Sequence, residues 1–184
     1  MPNPISLVIV PTAGLEKILG QVIPDDNGHR RIKVGAELLR NKKAGGIIFF
    51  GGKTAGKGWA EVYAERFRLL YPDLVNEIVM TNASGTNSAA DVKFLANYLD
   101  KSGIGKDATL FTPTYSWHFW RIRSSMWWKG YRQVVHCPSN EERCYPVALE
   151  LLLAAVTLVD PYWQWLGLPL AWLSAKRLAA HTPS

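Results

Sequence analysis

Cysteine is scarce in this chain. Its 184 residues hold two, Cys137 and Cys144, too few for a disulfide framework and suited to a reducing compartment. His136 lies beside Cys137, but no second ligand pair has usable spacing, so no metal site is expected. Long apolar runs are missing as well. None approaches the roughly 20 residues that a membrane-spanning helix needs. The start, Met1-Pro2-Asn3-Pro4, has neither the basic segment nor the apolar core of a signal peptide. Runs of one charge are absent: 21 Lys and Arg against 15 Asp and Glu give +6, but they are scattered. A nucleic-acid-binding tract is therefore not expected. Internal repeats and low-complexity segments are also absent. These absences leave a cytoplasmic chain long enough for one well-buried domain. Its basic balance suits an anionic small molecule or an acidic membrane face, or is merely a solvated basic surface.

What is present alternates. Short apolar runs at 5–10, 44–50, 77–80, 108–111 and 133–136 read as strands, and the first two are apolar on both faces, as buried parallel strands are. Helical patterns fall between them at 31–41, 59–71, 88–101 and 124–130. Ser88 is a candidate N-cap there, with Asp91 at the third helical position. Strands alternating with helices imply an α/β fold, a Rossmann-like three-layer sandwich with a mostly parallel sheet of about five strands. The stretch 12–30 reads as a loop, with a short turn at 15–19 and a strong turn signal in Asp25-Asp26-Asn27-Gly28-His29. The expected division is an α/β domain over 1–145 and an apolar helical extension over 146–184. Within that tail 145–159 is broken only by Glu150 and Thr157, and Trp163, Trp165 and Trp172 precede Lys176-Arg177. Three readings stay open for it: closure of the domain's own core, a homodimer contact through 146–173, or peripheral membrane contact.

The segment 112–123, Thr-Pro-Thr-Tyr-Ser-Trp-His-Phe-Trp-Arg-Ile-Arg, follows a strand and leads into a helix. That places its polar groups, Thr112 among them, at the carboxyl edge of the sheet, where open α/β folds bind ligands. His118 and Arg121 are three apart and share a face if the helix includes them. The guanidinium then disfavours the protonated imidazole, which suits a base or a phosphate partner; a histidine packed among tryptophans is the plainer reading. Gly51-Gly52 end a strand, so their amides can approach an anion. The glycines that follow lack the spacing of a phosphate loop, and a tight turn explains them equally well. Glu61 opens the next helix, either as a general base or as a surface carboxylate favoured by the helix dipole. Asn87 and Asp91 lie on consecutive turns of one face, placed to bind a sugar hydroxyl or an amide.

Taken in order, these elements resemble the YdcF-like family of unknown-function domains, which includes SanA-like and ElyC-like envelope proteins. The resemblance runs over about 5–139. Its helix-opening arginine falls on Arg31, its glycine pair on Gly51 and Gly52, and its helix glutamate on Glu61. The stretch Ser84-Gly85-Thr86-Asn87-Ser88 leads into the Asn-Thr-x-x-Asn pattern, which falls on Asn87, Ser88 and Asp91, and the His-x-x-Arg pattern falls on His118 and Arg121. Asp91 departs from the family by putting a carboxylate where it has an amide, and 112–123 is longer and more aromatic than usual. The resemblance implies a pocket at the strand ends and a role in envelope or lipid-carrier metabolism. One branch resembles a binder of S-adenosylmethionine, which makes that molecule a candidate cofactor.

Three functions follow. In the first, the chain is an enzyme, a hydrolase or transferase, on a phosphorylated or nucleotide-like molecule. Arg31 and Arg121 clamp an anion, the Gly51-Gly52 amides take a second oxygen, and Glu61 or His118 moves the proton. In the second, it binds S-adenosylmethionine or a nucleoside without turnover. In the third, it docks on a partner through its aromatic tail.

Overall fold

The computed structural model describes residues 5–52, 58–85, 88–141 and 147–159. In chain order these form β1 (Ser6–Pro11), β2 (Leu15–Ile18), β3 (Gln21–Pro24), α1 (Asp26–Arg40), β4 (Ile47–Gly52), α2 (Trp59–Leu70), a 3₁₀ segment (Pro72–Glu77), β5 (Ile78–Gly85), α3 (Ser88–Lys101), β6 (Thr109–Thr114), α4 (Ser116–Trp128), β7 (Val134–Pro138) and α5 (Val147–Val159). Five strands pair in the order β5-β4-β1-β6-β7, and every pairing in that sheet is parallel. The fold is the Rossmann-like sandwich that the alternation implies.

The layers follow from the two-residue period of the strands. In β1, Leu7 and Ile9 face one side, where Val92, Leu95 and Leu99 of α3 and Ile122 and Met126 of α4 cover them. Val8 and Val10 face the other, under Ile32 and Leu39 of α1 and Tyr63 and Phe67 of α2. The chain crosses from β1 to β4 over one face, then returns to β6 over the other. The strand order therefore reverses between β1 and β6, and the carboxyl ends of these two strands are where sheets of this kind place a ligand crevice.

Four local expectations are corrected. The loop at 12–30 contains an antiparallel hairpin, β2 with β3, closed by Leu19 and Gly20, both at positive φ (50° and 81°). That is the geometry of a two-residue type I′ turn, which fits the twist of the flanking strands. α1 begins at Asp26, not at 31. Asp25 is its N-cap, and its Oδ1 accepts from the Gly28 amide at 2.8 Å. Gly28 is there for packing: a Cβ on it would lie 2.3 Å from Tyr63 Oη. Likewise, α4 begins at Ser116 rather than at 124, so His118, Arg121 and Arg123 stand on a helix rather than in a loop. The strand expected at 77–80 also runs longer, as β5 to Gly85, which pairs with Gly52.

Gly51 illustrates a close approach. The Thr12 amide donates to Phe50 O at 2.9 Å, and a Cβ on Gly51 would meet Thr12 Oγ1 at 1.8 Å and Thr12 Cβ at 2.7 Å. Because Thr12 Cβ cannot rotate away, Gly51→Ala is expected to cost about 1–3 kcal/mol, the usual range for overpacking. Urea unfolding checks this, and Thr12→Gly in the same chain should recover part of the loss.

Candidate functional site

The crevice between β1 and β6 collects the chemistry. On β6, Leu110 faces α3 and α4, so the period of two sends Thr112 and Thr114 the same way. Both are fully buried. Thr114 Oγ1 shares a 3.1 Å hydrogen bond with His118 Nδ1 in the first turn of α4, while the Thr114 carbonyl accepts from His136 Nε2 at 2.8 Å. The His136 ring stacks on Phe119, with centroids 4.6 Å apart. The imidazole of His118 is thus held between the end of β6 and its own helix. Thr112 Oγ1 has no hydrogen-bond partner among the described residues.

Arg31 reaches the same edge from α1. Its Nη1 donates to Pro11 O, the last residue of β1, at 2.8 Å. Its Nε and Nη2 form a two-pronged pair with Glu141, at 2.8 and 2.5 Å, and both side chains are shut off from water. Ser139 donates from Oγ to the same carboxylate, and Arg30 donates to the Asn140 carbonyl. The segment after β7 is therefore tied to α1 beside the crevice. Tyr63 completes this wall: its Oη accepts from the Ala13 amide at 2.7 Å and donates to Gly14 O at 3.3 Å. Burial pushes the Tyr63 phenol well above its ordinary range, with Arg31 pulling the other way.

Arg121 is buried one turn beyond His118, and its Nη2 makes a long 3.5 Å contact with Tyr115 Oη. His118 is held well below its ordinary pKa of 6.5, first by burial, then by the charges of Arg121 and Arg31. It is a neutral imidazole under the charges of two cations, one ring nitrogen able to donate and the other to accept.

This makes a pH prediction. In the unfolded chain the imidazole protonates near 6.5, whereas in the folded protein it stays neutral to lower pH. The unfolded state binds the extra proton between those two values. Stability should therefore fall as pH drops below about 6.5, by up to about 1.4 kcal/mol per pH unit from this group, until the folded histidine itself titrates. Urea unfolding between about pH 7.5 and 5 measures the slope, and subtracting the profile of His118→Gln isolates this histidine's share.

The other expected site residues are distributed as follows. Glu61 is exposed, and its Oε2 accepts from the Gly58 amide at 3.3 Å, so it caps α2. Gly51 and Gly52 end β4 on the far side of β1 from β6, where Gly51 packs on Thr12. Asp91 is buried in the first turn of α3. Ser84 lies near the end of β5, but its side chain and the whole of Asn87 lie outside the described residues. The structure therefore gathers Arg31, Thr112, His118 and Arg121, and leaves Glu61 with a capping bond. Sequence reasoning missed Glu141 and Tyr63, and of the two threonines in 112–123 it singled out Thr112, whereas Thr114 makes the hydrogen bond to His118. Glu141 carried one usable signal, its place just past the last strand at the carboxyl edge. Among the described residues no group of His, Cys, Asp and Glu is placed to hold a metal ion. No family model matches the chain, and no curated protein matches it.

Proposed function

We propose that the crevice between β1 and β6 binds a phosphorylated or nucleotide-like small molecule and acts on it as a hydrolase or transferase. The observation that carries this is a pair of buried guanidiniums, Arg31 and Arg121, whose charges both act on a neutral, buried His118 where the strand order reverses. Buried arginines suit planar, two-pronged recognition of phosphate. The Arg31 fork already holds Glu141, so in this reading Arg121 contacts the ligand while Arg31 adds field and fixes the wall. His118, uncharged at neutral pH, accepts a proton from the attacking hydroxyl or water. A role in envelope or lipid-carrier metabolism is part of the proposal and rests on the order of sequence motifs that resembles YdcF-like domains.

The test is a thermal-shift screen with inorganic phosphate, pyrophosphate, ADP and S-adenosylmethionine. A ligand that binds only the folded state raises its stability with the logarithm of concentration over Kd. Stabilisation by pyrophosphate or ADP, lost in Arg121→Ala, supports the proposal. A response to S-adenosylmethionine alone would replace it with a nucleoside-binding module, and silence to all four would overturn it.

A further inference from the structure

The outward face of α4 is unusual for a helix facing water. Ser116, Trp120, Arg123 and Trp127 follow one another at helical spacing, and all are exposed. Trp120 is 50% exposed, Trp127 46% and the adjoining Trp128 56%. The opposite face already spends Phe119, Ile122 and Met126 on the core. Among the described residues, then, the side of the helix turned away from the core carries indole rings and a guanidinium in the open, the composition of a helix that rests at a membrane interface. On α5, packed against α4, Leu151 and Leu152 are exposed as well.

Charge selects the partner. Between Asp107 and Glu141 the chain has no acidic residue but carries Arg121, Arg123, Lys129 and Arg132. Arg123 and Arg132 are exposed. They lie over the Trp120 and Trp127 rings, at 5.1 and 4.1 Å from the centroids. A two-fold contact between copies would place this face against itself, cation toward cation, with no carboxylate on α4 to pair them. A lipid surface meets both demands: indole rings rest at the boundary between headgroups and acyl chains, and guanidiniums meet lipid phosphates.

We infer that the exposed face of α4 docks on an anionic membrane surface. This inference is independent of the ligand proposed for the crevice. The experiment is cosedimentation of the full chain with phosphatidylglycerol/phosphatidylcholine vesicles and with phosphatidylcholine vesicles. Binding is expected on the anionic vesicles, weakened by salt, with a blue shift of tryptophan emission. Arg123→Glu/Arg132→Glu, and separately Trp120→Ala/Trp127→Ala, should each lower binding at least about tenfold, given ~1 kcal/mol per basic residue near such a surface. Unchanged Tm in these variants shows that the fold is intact. No binding to anionic vesicles, or binding indifferent to both variants, would overturn the inference. So would loss on Trp163→Ala/Trp165→Ala/Trp172→Ala with the α4 variants still bound, which would make the tail the anchor. A dimer that Trp120→Ala/Trp127→Ala dissociates, with no lipid binding, would assign the face to a second copy.

Discussion

Glu141→Ala is expected to lower folding stability by about 3–5 kcal/mol, the cost of removing one partner of a buried ion pair. The Glu141 side chain is fully buried and that of Arg31 is 1% exposed. The guanidinium cannot shed its proton, so without the carboxylate it stays charged in the interior, where its Nη1 donates to the neutral Pro11 carbonyl. The substitution also orphans Ser139 Oγ, which donates to Glu141. Arg31→Met/Glu141→Leu should be much less costly than Glu141→Ala, since it buries no charge; apolar replacement of such pairs is often neutral. A double-mutant cycle in urea measures both. A loss below about 1 kcal/mol for Glu141→Ala would mean that water reaches the guanidinium once the carboxylate is gone, and the wall of the crevice would not be a sealed pair.

The strands were legible because both faces of the central ones are buried. Val8 and Val10 pack on one layer, Leu7 and Ile9 on the other, and such strands show as unbroken apolar runs. The hairpin was not, because its turn is Leu19-Gly20 rather than Asn-Gly, and Leu19 stands 99% exposed in a left-handed conformation. The start of α1 was hidden by Gly28, a turn signal in sequence but a contact with Tyr63 in space. The start of α4 was hidden in the same way, by polar residues around Pro113 that belong to β6. The site was half legible. His118 and Arg121 sit one turn apart, so spacing found them. Arg31 and Glu141 are 110 residues apart, and only the strand order, which sets β7 next to β6, brings them to one edge. Glu61 kept two readings in the sequence, a general base or a carboxylate favoured by the helix dipole, and the structure adds its capping bond from the Gly58 amide.

Pyrophosphate binding to Arg121→Ala tests the central claim most directly. Arg121 is 8% exposed on the first turns of α4, beside His118. A guanidinium that donates to phosphate contributes about 1.5–3 kcal/mol, as hydrogen bonds to charged groups do, or roughly 10- to 150-fold in Kd. Arg121→Lys keeps the charge and loses the fork, so its affinity should fall between those of wild type and alanine. Isothermal titration at neutral pH gives the numbers, and the Tm of each variant without ligand separates binding from folding. The account predicts weaker pyrophosphate binding in the order wild type, lysine, alanine. An alanine variant that stays folded and binds pyrophosphate within about twofold of wild type would contradict it, and the crevice at β1 and β6 would not be a phosphate site.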